Sequence, residues 1–191
     1  MAQVKLENIR LSFPALFTPE SYEDGPARFG AKFVIEPGSA NSKKLDEVML
    51  AAAKEKWGEK ASQIFDGLTK LGKPKAVEVP YVKQPYANRS GDVYAGFEGK
   101  HYLSATNKVR PTVVDRDKTP LTEADGRPYA GCYVNVVLEI WAQDNSYGQA
   151  LRATLKGVQF FRDGEAFSGG TAASTDDFDA FDSSDDADSI L

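Results

Sequence analysis

The sequence predicts a mainly β domain: a small Greek-key barrel with an inserted helical segment and a disordered acidic C-terminal tail. Three observations carry this. Apolar and polar residues alternate with period two in several short stretches separated by turn residues. A helical period occurs in one region only, after the second strand, and there is no alternation of strands with helices of the kind that builds a parallel sheet. Residues 171–191 hold seven aspartates and no Lys or Arg, a composition that repels itself and cannot bury a core.

Taken in order, Val4 to Leu11 reads as a first strand. Phe13 to Phe17 reads as an apolar loop, because Pro14 lacks the N–H that continued pairing needs. Thr18 to Ala27 is turn material. Phe29, Ala31, Phe33 and Ile35 alternate as a second strand that Pro37-Gly38 ends. From about Asn41 to Trp57 the apolar residues Leu45, Val48, Met49, Ala52 and Ala53 recur at helical spacing, with Ser39 or Asn41 as N-cap. Gly58 breaks that helix, and Lys60 to Phe65 can form a short second one. The stretch Gly67 to Gly99 is irregular, punctuated by Gly and Pro, and a loop of that length implies function.

Lys100 to Thr106 and Lys108 to Asp115 read as further strands, the latter placed at an edge by Pro111, with a polar connection Asp117 to Pro128. The strongest signal is a long hairpin over Tyr129 to Phe161. Cys132, Val134, Val136, Leu138 and Ile140 line one face, and Leu151, Ala153 and Leu155 continue it after the turn Gln143 to Gly148. Tyr133, Trp141, Arg152, Thr154 and Lys156 fall on the other face. Gly157 marks a bulge, and from Asp163 the chain loosens into a Gly169-Gly170 hinge. Such a strand count with one helical excursion fits the five-stranded, partly open OB-fold. The expected division is a barrel domain over 1–168 and a disordered tail over 169–191.

The single cysteine and single histidine, Cys132 and His101, exclude an internal disulfide and a Cys/His zinc site, so no metal or cofactor is expected. No apolar run approaches a membrane span and no apolar leader opens the chain, which places the protein in the cytoplasm with no membrane partner. Seven of the 28 acidic residues lie in the tail, leaving 21 in residues 1–170 against all 23 Lys and Arg. The body is therefore about +2 and the tail about −7, a body able to meet polyanions and a tail able to compete with them.

Within the irregular stretch, cations interleave with rings: Lys73, Lys75, Lys83, Arg89 and Lys100 among Tyr81, Tyr86, Tyr94, Phe97 and Tyr102. Single strands need cations for phosphates and flat apolar surfaces for unpaired bases. These five rings are the expected stacking platforms, with Tyr133 and Trp141 as the alternative. The five cations, joined by Arg152 and Lys156, are the expected phosphate contacts. A single tyrosine read alone is as well explained as a half-buried barrel residue; five in one stretch are not. The tail residues Asp176, Asp177, Phe178, Asp179, Phe181, Asp182, Asp185, Asp186 and Asp188 combine regular negative charge with two rings, an imitation of the strand itself. No nucleophile–base pair and no phosphate loop are present, so no catalytic residues are expected. The nearest approach to a catalytic cluster, Asp115, Asp117, Glu123 and Asp125, lies on a turn-rich connection.

Three blocks together resemble a family of phage-encoded single-stranded DNA-binding proteins: Tyr129-Ala130-Gly131-Cys132-Tyr133-Val134-Asn135, Gly157-Val158-Gln159-Phe160-Phe161-Arg162-Asp163-Gly164, and Ile9-Arg10-Leu11-Ser12-Phe13-Pro14 with Leu16-Phe17. The resemblance spans most of residues 1–170. It implies an OB-fold and sequence-tolerant binding of single-stranded DNA in replication or recombination. The acidic tail is a separate feature that many replication-type single-strand binders share, and it is expected to compete with DNA and to recruit replication or recombination proteins in the bacterial host cytoplasm. The tail departs from similar binders in ending on Ile190-Leu191, with its phenylalanines set further back. Two other classes compete with this reading: a metal-dependent nuclease or junction-processing enzyme, and an adaptor barrel whose basic loops bind protein.

Overall fold

The computed structural model describes residues 2–21, 24–70 and 78–167. Strand β1 (Ala2–Glu20) pairs antiparallel with β2 (Arg28–Ile35) on one side and with β6 (Tyr133–Asn145) on the other. After β2 come helix α1 (Ala40–Trp57) and helix α2 (Ala61–Lys70), then the two-residue β3 (Tyr81–Val82), β4 (His101–Asn107) and β5 (Thr112–Val114). The hairpin of β6 (Tyr133–Asn145) and β7 (Gly148–Arg162) completes the sheet, whose strand order is β3-β4-β2-β1-β6-β7-β5. A parallel pairing of β4 with β7 at Thr106 and Thr154 closes β4, β2, β1, β6 and β7 into a five-stranded barrel. This is the expected OB-type arrangement, with β5 lying parallel outside β7.

Alternation fills the barrel. Leu6, Leu11, Phe33, Ile35, Leu103, Val134, Val136, Leu138, Ile140, Leu151 and Leu155 are buried from their respective strands, as the period-two pattern requires. Helix α1 caps this core with Leu45, Met49, Ala52 and Ala53, all fully or nearly buried on one stripe. Its N-cap is Ser39, whose hydroxyl accepts from the Ser42 N–H at 3.2 Å. Asn41, the other expected cap, instead braces β1: its amide donates to the Glu7 carbonyl at 2.8 Å and accepts from the Glu7 N–H at 3.3 Å. Those bonds serve a bulge between Leu6 and Ile9, where Asn8 adopts φ 55° and its N–H donates to the Asn135 side chain at 3.0 Å.

Three expectations are corrected. Pairing does not stop at Pro14: β1 meets β2 at Ser12–Lys32 and again at Ala15–Gly30, with a register shift that absorbs Phe13 and Pro14. A proline is tolerated where the strand bulges, since no ladder bond is asked of it there. The second helix runs to Lys70 rather than Phe65. And residues 163–167 are not loose. The Tyr129 hydroxyl donates to Asp163 at 2.7 Å, the Arg10 guanidinium donates to the Glu165 carbonyl at 2.6 Å, and the Phe167 N–H donates to the Ala130 carbonyl at 3.0 Å. The end of the described chain is thereby folded back across β1. The tail and the Gly169-Gly170 hinge lie outside the described residues.

Gly30 marks the tightest approach of β2 to β4. A Cβ placed there would sit 2.6 Å from the Ala105 carbonyl oxygen and 3.1 Å from the Thr106 methyl. Backbone cannot yield as a side chain can, so Gly30→Val is expected to destabilise the fold by about 1–3 kcal/mol. A lowered urea midpoint with unchanged slope checks this; an unchanged midpoint would refute the crowding.

Candidate nucleic-acid interface

Register defines which side chains share the outer face of the barrel. Opposed residues point the same way, so the pairs Ser12–Lys32, Lys32–Ser104, Gly30–Thr106, Val34–Tyr102 and Thr106–Thr154 form one strip across β1, β2, β4 and β7. Beyond Thr154 the strip continues to Trp141 and Arg152, which are register partners on β6 and β7. The Trp141 indole donates to the Thr154 hydroxyl at 3.0 Å. Arg28, two residues before Gly30, lies near enough to Arg152 that the two cations repel: burial first, then Arg28, lowers the Arg152 pKa.

One end of the strip is roofed by the segment between β3 and β4. Tyr86 is its hub, with Tyr94 stacked at 4.9 Å and 28°, Tyr102 at 5.0 Å, Phe13 at 5.6 Å and Phe97 at 5.7 Å. A short turn holds Tyr86 and Tyr94 together. Ala87 bridges Val93, and the Asn88 side chain accepts from the N–H groups of Ser90 and Asp92 at 2.9 and 3.0 Å. Tyr86, Tyr94, Arg89, Asn88 and Ser90 line an open pocket at this turn. Phe13 packs edge-on against Tyr94 at 4.9 Å and is still 47% exposed. It owes that position to the β1 bulge, where its φ is 47°.

Under the roof lies Lys32. Its ammonium donates to the Ser104 hydroxyl and stands 4.8 Å from the Tyr86 ring centre and 5.7 Å from that of Tyr102. Burial lowers its pKa from 10.5 to about 8, the direction desolvation of a cation dictates. The phenol of Tyr102 is pushed the other way by the same burial.

The expected site residues separate into groups. Tyr86, Tyr94, Phe97 and Tyr102 do come together. However, Phe97 is fully buried and Tyr102 is 6% exposed, so neither offers an open ring face and they act as floor beneath the others. Tyr81 is 2% exposed and belongs elsewhere: its hydroxyl links the Ser42 hydroxyl and His101 Nδ1, each at 2.7 Å, under α1. Lys83 pairs with Asp46 at 3.1 Å and Lys100 with Glu36, so a phosphate would have to displace a carboxylate at either. Arg89 lines the open pocket, Arg152 donates to the Gln143 side chain at 3.2 Å, and Lys156 is exposed at the β7 bulge. Lys73 and Lys75, like the tail residues, lie outside the described residues. Of the alternative platforms, Tyr133 has the Arg162 guanidinium 3.6 Å from its ring centre, whereas Trp141 lies half-buried on the strip.

Sequence reading missed Phe13 and Lys32. The signal for Lys32 was present, a cation at every-other spacing from Gly30 and Val34 in an otherwise apolar strand. Phe13 carried none, since only the bulge turns it outward. The acidic group considered for metal chemistry has structural work instead. Asp115 accepts from Arg127 at 2.6 Å, Asp117 accepts from the Thr119 N–H at 3.0 Å, and Asp125 accepts from the Thr122 N–H at 2.7 Å. The Arg127 contact, foremost, holds the Asp115 carboxyl below its ordinary range. Among the described residues no three His, Cys, Asp or Glu side chains gather as a metal site, and no helix is long and apolar enough to cross a membrane.

Comparison with known proteins gives the following. Residues 2–189 match the family described as the single-stranded DNA-binding protein of Enterobacter phage Enc34. Protein p50 of Acyrthosiphon pisum secondary endosymbiont phage 1 is 42% identical over 185 residues, covering 93% of this chain and 92% of its own. The single-stranded DNA-binding protein from bacteriophage Enc34, solved in complex with single-stranded DNA, superposes with a TM-score of 0.67 at 25% identity, covering 87% of this chain and 89% of that one. The fold is shared with gp2.5, a single-stranded DNA-binding protein encoded by bacteriophage T7, at a TM-score of 0.53 and 11% identity over 91% of this chain and 99% of that one.

The buried ammonium makes stability depend on pH. Between pH 8 and 10.5 the unfolded chain binds the Lys32 proton more strongly than the folded one, so this residue's contribution to stability rises with pH across that window. Lys32→Met removes that contribution. The expected result is a variant whose urea midpoint gains on the parent at pH 7 and loses that advantage by pH 10; a difference that does not change with pH would refute the assignment.

Proposed function

This chain belongs to the single-stranded DNA-binding family of Enterobacter phage Enc34, and on that premise we propose how it holds the strand. The protein is a phage single-stranded DNA-binding protein and not an enzyme. The strand crosses the outer strip of β2, β4 and β7. Phe13 and Tyr94, with the Tyr86 edge and Trp141, stack on bases; Arg28, Arg89, Arg152 and Lys156 meet phosphates. The observation that carries this reading is the coincidence, on the OB-fold face of the second and third barrel strands, of clustered rings with cations. Phe97 and Tyr102 support that surface from within, whereas Tyr81 lies under α1.

Its setting is replication or recombination of phage DNA in the host cytoplasm, with residues 169–191 as a separate tail. Phe167, near the end of the described chain, packs its ring against Gly96, between Tyr94 and Phe97 in sequence. The described chain therefore ends beside the aromatic roof. A tether of a few residues keeps seven aspartates at roughly millimolar effective concentration there. The tail competes with DNA for the cations and, once displaced, is free to recruit replication or recombination proteins.

Fluorescence anisotropy with a labelled oligonucleotide, with and without magnesium, tests the reading. A shifted but intact strand is expected, and cleavage would favour the nuclease. With about four phosphates neutralised, log K should fall against log[salt] with a slope near −3. Phe13→Ala and Tyr94→Ala should each cost about 1–3 kcal/mol of binding. If both leave affinity unchanged in folded protein, the strand runs elsewhere. Truncation at Gly170 should tighten binding, most at low salt, because the competing attraction is screened over about 8–10 Å at ordinary ionic strength. An unchanged affinity at low salt would leave the tail a partner-binding or solubilising element alone.

A further inference from the structure

Lys32 is costly to the fold as it stands. Its ammonium is largely removed from water, yet its one hydrogen-bond partner is the neutral hydroxyl of Ser104. Among the described residues it makes no ion pair. The groups facing it from each neighbouring element carry no negative charge: Ser12 on β1, Ser104 and Tyr102 on β4, and Tyr86 on the roof. Of the charged residues along the face, Arg10 is a cation, Arg28 stands opposite Glu20 in register, and Glu36, four residues from Lys32 along the chain, is paired with Lys100. Two rings offer their faces, which stabilises a cation partly without replacing a full counter-charge.

A buried cation without a counter-charge is retained where a ligand supplies one. The position fits. Lys32 sits at the centre of the outer strip, between the open end at Gly30 and Thr106 and the roof at Tyr86, which also lines the open pocket. Resting on the reading of this strip as the strand's path, we propose that Lys32 is the central oxygen contact for bound DNA and that binding is coupled to proton uptake by this one residue. The ligand atom is an oxygen acceptor, either a phosphate oxygen or a base carbonyl. Either one accepts a hydrogen bond from the charged amine and favours the protonated form over the free protein's partly neutral one. The balance is simple. The free protein near pH 8 holds the amine protonated about half the time, the complex holds it protonated, and the proton comes from buffer.

The direction of this linkage is diagnostic. Strand binding that merely buried the amine further would lower its pKa and release a proton. Strand binding that gives it an oxygen raises the pKa and takes one up.

The experiment measures oligonucleotide affinity of the full chain at pH 7, 8 and 9 and fixed ionic strength, and titration calorimetry at pH 8 in two buffers of different ionisation heat. Parent affinity is expected to fall about tenfold from pH 7 to 9, with proton uptake at pH 8. Lys32→Arg, which stays charged throughout, should bind with a flattened profile. Lys32→Met should bind more weakly at pH 7 and show no profile. Oligo(dA) lacks a base carbonyl and oligo(dT) has them: linkage on both assigns the contact to phosphate, linkage on oligo(dT) alone to a base. A flat parent profile, proton release, or a profile that survives in Lys32→Arg overturns the proposal. Should Lys32→Met fail to fold, the Lys32→Arg comparison decides. A parent that binds with a flat profile refutes this inference alone; a parent that does not bind at any pH refutes the strand-binding reading beneath it.

Discussion

Closure of the barrel rests on one narrow seam. Strands β4, β2, β1, β6 and β7 are joined by long antiparallel ladders, but the sheet becomes a barrel only where β4 meets β7 in parallel at Thr106 and Thr154. The Asn107 amide adds a bond to the Leu155 carbonyl at 2.9 Å. Without the seam, the edges of β4 and β7 would expose unpaired backbone groups. With it, the outer faces of β2, β4 and β7 become one curved surface, and Lys32, Thr106, Thr154 and Arg152 fall along it. Gly30 belongs to the same constraint, because β4 can turn toward β7 only if β2 lets it approach closely.

That outer surface is also where the chain departs from ordinary rules. A half-buried lysine has its ammonium desolvated without an ion-paired carboxylate, and a phenylalanine is exposed at positive φ. Two arginines stand close enough to oppose each other. Several other charges are matched: Lys5 with Glu7, Lys83 with Asp46, Lys100 with Glu36 and Arg127 with Asp115. Such local conflicts on one face fit a surface kept for a ligand rather than for stability.

The hairpin, the helical insertion and the overall strand count were legible because period is a local property of sequence. Cys132 to Ile140 and Leu45 to Ala53 each declare their face without reference to anything distant. What could not be read was whatever depends on a partner far along the chain. Pro14 argued for a break, and only a bulge against β2 shows why pairing resumes at Ala15. Segment 163–167 reads as a loose linker, yet Arg10 and Ala130 tie it down. For the proposed site, interleaved rings and cations pointed to a segment whose rings the structure gathers around Tyr86, without separating floor from surface. Tyr81 and Tyr86 look alike in sequence. One is sealed beneath α1 by Ser42 and His101, the other forms the hub of the exposed roof.

The distribution of charge now admits a more specific account than net charge allowed. A body of about +2 is barely basic, and several of its cations are already matched. Long-range attraction for a polyanion is correspondingly weak, and affinity has to come from contacts made at close range. On the proposed path of the strand, the clustered rings and the Lys32 ammonium among them are the groups placed to make such contacts, since an ionic contact strengthens as water is excluded. On the proposed reading, the same economy gives weight to an acidic segment as small as residues 171–191. Against a strongly basic groove seven aspartates would be a minor competitor. Against a body of about +2 they outnumber the net charge they would oppose.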